Sequence, residues 1–246
     1  MNSLRAILFL AALAGLVAGV AMSLMQFATT VPMIFEAETY EVAEAPETDA
    51  AASADAADPA HDADHDHAEE WEPSDGFVRS GLTVVANVVT AIGFALLLVA
   101  ASESFGGLRT WRQGFAWGFA GFASFVLAPG LGLPPNMPGM PAADIAPRQG
   151  WWIATALLTA GGLGLVAFGR SLAFGAVGAL LIVLPHVIGA PQPVDPSTAV
   201  PEALHHRFIV AVMVTTFVFW AILGVAVSLL RPRFAADLDA PRRQIA

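Results

Sequence analysis

The sequence predicts an all-α integral membrane protein, a bundle of about six transmembrane helices. Hydrophobic residues make up 56% of the 246-residue chain and charged residues only 13%, whereas soluble domains average about 25% charged residues. Six segments are apolar over roughly the 17–25 residues that a helix needs to cross a bilayer core. These segments are 6–27, 82–101, 114–131, 151–168, 171–189 and 208–230.

The composition also excludes several functional classes. The chain has no cysteine, so disulfides, thiolate metal sites and thiol catalysis are impossible. It also has no lysine, which rules out a Walker P-loop and a lysine Schiff base. The net charge of −10 argues against nucleic-acid binding. Nothing resembles a buried catalytic constellation, so we expect neither an enzyme nor an organic cofactor.

Arginine placement predicts the orientation, because cytoplasmic loops are enriched in basic residues. With an inner N-terminus and six spans, eight of the eleven arginines lie inside, and the outer three are Arg79, Arg148 and Arg207. The sequence therefore predicts an N-in, C-in protein. Alternatively, Arg5 and the apolar run after it form a signal peptide whose cleavage leaves five spans. The run of about 22 residues exceeds the typical signal core of roughly 7–15, which favours a retained first helix.

The predicted units follow in order along the chain. The first helix covers 1–28, and an acidic outer segment covers 29–81. Because 41–66 is almost devoid of bulky apolar residues, we expect this segment to be largely disordered, although 35–41 continues the first helix. A five-helix membrane domain covers 82–246 and ends in a cytoplasmic tail, 231–246.

Within the membrane domain, 129–150 is predicted to be an outer loop that is rich in proline. Six prolines fall between 129 and 147, which predicts a stiff segment that packs at the membrane surface or dips into the protein. Gly169-Arg170 alone separates the fourth and fifth spans and therefore predicts a tight antiparallel hairpin. Trp151-Trp152 predict an interfacial anchor against membrane lipid.

Small residues predict close helix–helix contacts. Gly15 and Gly19 are spaced by four in the first span, as are Gly114 and Gly118 in the third. In the fourth span, the glycines at 161, 162 and 164 make one side of the helix thin.

The stretch 61–70 holds three imidazoles and five carboxylates in ten residues. Imidazole and carboxylate are ligands for divalent metal ions. The alternative is an acidic loop that only adds solubility. The candidate ligands are His61, Asp64, His65, Asp66 and His67.

Other candidates lie near the outer ends of the predicted spans. His186, within the fifth span beside Pro185, is either part of an ion path or a hydrogen-bonded interfacial histidine. His205 and His206 precede the sixth span and are either metal ligands or a polar helix start. Glu36 and Glu38 follow the first span and are either ligands at the mouth of a path or a solvated helix end.

Five segments together resemble the CbtA family of predicted cobalt transporters. They are 36–41 (EAETYE), 71–76 (WEPSDG), 128–135 (APGLGLPP), 148–152 (RQGWW) and 184–193 (LPHVIGAPQP). The resemblance implies a multi-pass protein of the bacterial inner membrane that takes part in cobalt supply for cobalamin synthesis. It also implies a partner, a small single-span membrane protein with a histidine-rich end. The family supplies no defined active site to carry over.

The leading functional hypothesis is a component of an uptake system for Co²⁺, in which the outer loop collects the metal and the helices form or support the path. The alternative is a membrane-anchored metal-binding accessory protein without transport activity of its own. Transport of another metal such as nickel also stays open, because affinity at nitrogen and oxygen sites places cobalt below nickel and copper.

Overall fold

The structure, a computed structural model, describes residues 2–44 and 76–239, and within these ranges it consists of helices and loops. A π-helical turn, Ala123–Leu127, joins α4 to α5, and a 3₁₀ turn, Arg231–Phe234, joins α8 to α9. The helices are α1 (Asn2–Ala28), α2 (Thr30–Glu44), α3 (Phe77–Ser104), α4 (Trp111–Phe122), α5 (Ala128–Gly132), α6 (Ile145–Phe168), α7 (Leu172–Ile188), α8 (Glu202–Leu230) and α9 (Ala235–Leu238).

The predicted class, an all-α membrane bundle, is confirmed. Within the described ranges, five helical stretches are long and apolar enough to cross a bilayer: Ser3–Ala28, Phe77–Ser104, Trp111–Gly132, Ile145–Phe168 and Glu202–Leu238. The remaining predicted span is α7, whose 17 residues give a length of about 25 Å, below the roughly 30 Å of a bilayer core. The N-in, C-in orientation stays a prediction.

Prolines shape two of the helices. Pro32 lacks an N–H and its ring crowds the carbonyl of residue 28, and the helix is interrupted there, at Thr29. The Thr29 hydroxyl donates to the Met25 carbonyl at 2.7 Å. The predicted continuation through 35–41 is confirmed as α2.

Pro129 acts in the same way on residue 125, and the π-helical turn lies just before it. Pro129 does not end the helix, which continues to Gly132. Pro147 lies in the first turn of α6, where a missing N–H costs nothing. The loop is consequently 133–144, shorter than the predicted 129–150, and α6 begins at Ile145 rather than at Trp151.

Glycines allow antiparallel helix pairs to approach closely, as predicted. A Cβ atom on Gly15 would lie 2.6 Å from the Ile92 Cα atom of α3, and Gly19 meets Val88 at the same distance. α6 and α7 form the predicted hairpin, in which a Cβ on Gly162 would lie 2.6 Å from the Gly178 carbonyl oxygen.

Glycines also allow close approach of α4 to α8. Cβ atoms on Gly114 and Gly118 would collide with the backbone carbonyls of Gly224 and Trp220. The buried core runs through α1, α3, α4 and α8 around residues such as Leu10, Val99 and Leu223.

Because these helix pairs are antiparallel, the helix ends lie in two groups at opposite ends of the bundle. We call one group the loop end: it comprises the end of α1, α2, the starts of α3 and α8, and the loops 133–144 and 189–201. At the opposite end, the buried Arg231 side chain donates to Glu103 at 2.6 and 2.9 Å and to Asp239 at 2.9 Å. The sequence-predicted site residues that the structure describes all lie at the loop end.

Candidate metal-binding site

The His205 imidazole is held by the backbone of the proline-rich loop. His205 lies in the first turn of α8, and its Nε2 atom is 3.0 Å from the Pro135 carbonyl oxygen. A carbonyl can only accept, so Nε2 carries a proton, and a neutral ring in this position has its lone pair at Nδ1. Metal-binding histidines commonly donate their other N–H to a carbonyl in this way, which fixes the tautomer and the ring orientation. In His205 this contact engages Nε2, and Nδ1 is the second ring nitrogen.

His205 lines a groove of about 790 Å³ at the loop end. Three parts of the chain form its walls: the loop 133–144, the first turns of α6 and the connection from α7 to α8. Apart from the proline-rich walls, the side chains that give the groove its chemistry are Asn136, Arg148, Gln149, Trp152, Gln192 and His205.

Side chain to backbone hydrogen bonds fix the two loops that form the groove. The Gln192 amide donates to the Gly132 carbonyl at 3.3 Å, and the Thr198 hydroxyl donates to the Gly139 carbonyl at 3.2 Å. Asn136 closes its own loop by donating to the Pro141 carbonyl at 3.2 Å. These hydrogen bonds join the connection from α7 to α8 to the end of α5 and to the proline-rich loop.

Asp195 lies in the connection between α7 and α8 but does not line the groove. Its Oδ1 atom accepts from the Ser197 backbone N–H at 2.9 Å. This hydrogen bond lowers the pKa of the exposed Asp195 carboxyl below its ordinary value. Asp195 therefore stays ionised and fixes its own turn.

His186 is half-buried in the last turn of α7, outside the groove. Its ring packs edge-on against Trp151, with 6.0 Å between the ring centroids. The Trp151 indole N–H donates to the Pro185 carbonyl at 3.2 Å. The two neighbouring tryptophans thus differ in role, since Trp151 positions the His186 region and Trp152 lines the groove.

The remaining described candidates are placed apart from one another. His206 is exposed. Glu38 forms an ion pair with Arg79 of α3, and the Glu36 carboxylate lies 3.9 Å from the Arg207 guanidinium of α8. The two glutamates thus face arginines of α3 and α8, an arrangement that their spacing in the sequence did not reveal.

Within residues 2–44 and 76–239, no three histidine or acidic side chains come together as a ready metal site. The five candidates from the acidic tract, His61, Asp64, His65, Asp66 and His67, lie outside the described residues. The metal-ligand set therefore stays a prediction at those positions, at His186 and at the loop end of α8.

A family model described as "Probable cobalt transporter subunit (CbtA)" matches residues 4–231, most of the 246-residue chain. The chain belongs to the CbtA family. It is accordingly an integral membrane protein of a family of probable cobalt transporter subunits, as the resemblance in the sequence predicts. No curated protein and no solved structure matches it.

In this CbtA-family chain the match spans both the groove and the helices, from α1 to the end of α8. Membership of a family of transporter subunits implies protein partners and a metal ion as cargo. It does not assign ligands. The assignment of residues to the metal must therefore come from geometry.

Along the membrane-spanning region, a polar cluster joins α1 to α3. The Asn87 amide donates to the Ser23 hydroxyl at 3.1 Å and to the Gln26 carbonyl oxygen at 2.6 Å. Asn87 stands out in its apolar run, but Ser23 and Gln26 were not singled out in the sequence. Their polarity within the first span was the signal that could have found them.

The other polar groups of the spans mostly satisfy their own helices. The Thr155 and Thr215 hydroxyls donate to carbonyls four residues earlier, both at 2.8 Å. Thr159 differs, because its buried hydroxyl has no hydrogen-bond partner among the described residues.

Proposed function

We propose that the chain is a component of a cobalt uptake system in the bacterial inner membrane, and that metal first meets ordered ligands in the groove at the loop end. The observation that supports this most directly is the His205–Pro135 hydrogen bond of 3.0 Å. It fixes the orientation of an imidazole in the wall of the groove, and we assign metal binding to its Nδ1 atom.

The acidic segment is proposed to collect the metal on the periplasmic side. Fifteen carboxylates lie between residues 36 and 75, where the sequence has no arginine or lysine. Such a density of negative charge raises the local concentration of divalent cations within a Debye length of about 8 Å. His61, His65 and His67 add imidazole ligands, so we assign this tract the role of an antenna rather than of a selective site.

The membrane potential can drive inward movement of the metal. A divalent cation gains about 4.6 kcal/mol at 100 mV, at roughly 2.3 kcal/mol for each charge. The chain lacks a P-loop lysine, and inward movement of a cation does not require one. His186 is proposed as the next ligand after the groove, beside the start of the path.

A second candidate function is a metal-binding accessory protein that transports nothing alone. Apart from His186, the predicted spans contain no histidine, aspartate or glutamate. The Asn87 cluster offers amide and hydroxyl oxygens, which are weak ligands for a transition metal. This scarcity favours a path shared with a partner, for which we propose the small single-span protein with a histidine-rich end.

Cellular accumulation of cobalt and nickel tests the route. The variants are a 61–70 deletion, His186→Ala and His205→Gln, compared with the wild type at equal amounts in the membrane. We expect the deletion to reduce accumulation chiefly at low external metal concentration, and the histidine variants to reduce it at all concentrations. Unchanged accumulation in all three variants would rule out the proposed route.

Vesicles that contain the purified chain alone separate the two candidate functions. Cobalt uptake that follows an imposed potential, inside negative, supports a transporter. Cobalt binding without uptake supports the accessory role. Preference for nickel over cobalt in the same vesicles would reassign the metal.

A further inference from the structure

Among the described residues that line the groove at the loop end, Arg148 is the one with a formal charge. Arg148 is half-buried in its wall and forms no ion pair with any residue that the structure describes. Among the described residues that line the groove, none has a carboxylate. The described lining therefore offers a cation no carboxylate ligand. The groove therefore suits a ligand that brings negative charge of its own.

The described carboxylates nearby lie outside the lining of the groove. Asp195 is exposed and is bound to the backbone of its own turn. Asp144 and Glu202, at the starts of α6 and α8, are both exposed to solvent. By contrast, the two outer arginines beside α2 have carboxylate partners, Glu38 for Arg79 and Glu36 for Arg207. Arg148 is the exception among the three outer arginines.

The size of the groove also exceeds that of a hydrated metal ion. Six waters at about 30 Å³ each occupy about 180 Å³, whereas the groove measures about 790 Å³. Small-molecule sites typically occupy about 300–1,000 Å³ and combine apolar walls with a few polar groups. Proline walls and the Trp152 ring provide apolar surface of this kind.

We propose that the groove takes the metal as an anionic complex with a small polycarboxylate, rather than as the free hydrated ion. Arg148 binds a carboxylate of the complex, His205 Nδ1 coordinates the metal, and Trp152 and the prolines contact the carbon skeleton. Guanidinium and carboxylate form paired charge-assisted hydrogen bonds. The inference rests on the proposed function, because it names the form in which the metal is bound.

Retention of radiolabelled citrate by the purified full-length chain, with and without Co²⁺, tests the proposal. Citrate serves as the probe because it is a small polycarboxylate that chelates cobalt. Citrate also competes with the acidic tract for free metal. The difference in retained label with and without Co²⁺ therefore reports binding of the complex. We expect citrate to bind at least about ten-fold more tightly with cobalt than without it.

Arg148→Gln should weaken binding of the cobalt–citrate complex by about ten-fold or more, the effect of losing a charge-assisted pair. Arg207→Gln is the matched control, since it removes one positive charge from the same end without altering the groove, and should leave binding unchanged. Arg148→Lys keeps the charge and should retain part of the affinity, which guards against misfolding of the glutamine variant. His205→Gln should remove the dependence on cobalt.

Three results would overturn the proposal. The first is citrate binding that is equal with and without cobalt. The second is equal loss in the Arg148→Gln and Arg207→Gln variants. The third is displacement of citrate by phosphatidylglycerol in nanodiscs but not by phosphatidylcholine, which would assign the groove to a lipid headgroup. These three results concern the form in which the metal is bound. Cobalt accumulation in cells is measured separately, so the proposed function can stand if the chelate proposal fails.

Discussion

Two neighbouring glycines in α6 should respond in opposite ways to the same substitution. A Cβ atom on Gly162 would lie 2.6 Å from the Gly178 carbonyl oxygen and 2.7 Å from Ile182 Cγ1, whereas one on Gly161 meets nothing within 4 Å. Gly162→Ala therefore forces α6 and α7 apart, because the atom it meets is rigid backbone. Gly161→Ala adds the same methyl group to an open surface.

The expected size follows from that distance. An ordinary van der Waals contact begins at 3.4 Å, so the hairpin must open by roughly 0.8 Å. Overpacking of this kind costs about 1–3 kcal/mol. At about 2–4 °C for each kcal/mol in a chain of this size, Gly162→Ala should lower Tm by about 2–12 °C. Gly161→Ala should leave Tm unchanged or raise it, since alanine is the better helix former.

Thermal unfolding in one detergent, followed by tryptophan fluorescence at a fixed scan rate, measures both variants. Gly178→Ala provides a second test, because its Cβ atom would lie 2.6 Å from the Gly162 carbonyl oxygen. The double variant should lose less than the sum of the two single losses, since the first methyl already opens the hairpin. Equal Tm values for Gly161→Ala and Gly162→Ala would refute the close packing of α6 against α7.

Three further predictions concern polar contacts. Glu103→Gln should destabilise the chain by about 1.5–3 kcal/mol, the contribution of hydrogen bonds to a charged group, because Asp239 still pairs with the buried Arg231 side chain; Asp239→Asn should cost less, since Asp239 is the more exposed partner, and equal Tm losses would contradict this ranking. Trp151→Phe should cost about 1 kcal/mol through the lost hydrogen bond to Pro185, while Trp152→Phe should leave Tm nearly unchanged and alter ligand binding instead. The ionised Asp195 carboxylate accepts a hydrogen bond from the Ser197 amide, and this bond lowers the pKa of Asp195. Hydrogen-exchange protection of the Ser197 amide should therefore persist at mildly acidic pH and disappear as the pH falls through that pKa. Protection that is independent of pH would refute the contact.

The sequence predicted the helices well because their signal is local. Apolar runs of fixed length identified the spans, and Gly169-Arg170 alone specified the hairpin. The spacing of Gly15 and Gly19 predicted a close contact, which α3 provides. The helix ends were less predictable, since proline can occupy a first turn at Pro147 or follow a π-helical turn at Pro129 without ending the helix.

The candidate site was only partly predictable because its contacts join distant parts of the chain. His205 was a candidate from the sequence, but its tautomer depends on Pro135, 70 residues away. Glu36 and Glu38 were interpreted as possible ligands, and their arginine partners became visible only when α2 packed on α3 and α8. Arg148 served in the sequence only to set the orientation.

The arginines at the two ends of the bundle differ in whether they have carboxylate partners among the described residues, and this difference bears on the proposed function. At the end opposite the loops, Arg231 has two carboxylate partners at 2.6 and 2.9 Å, so its charge is committed to joining α3, α8 and α9. At the loop end, Arg79 and Arg207 have acidic partners, but Arg148 has none among the described residues. Arg148 is therefore the guanidinium at this end that a ligand in the groove can pair with. Together with the fixed orientation of the His205 ring, this arginine is the physical reason to test the groove for the proposed metal complex.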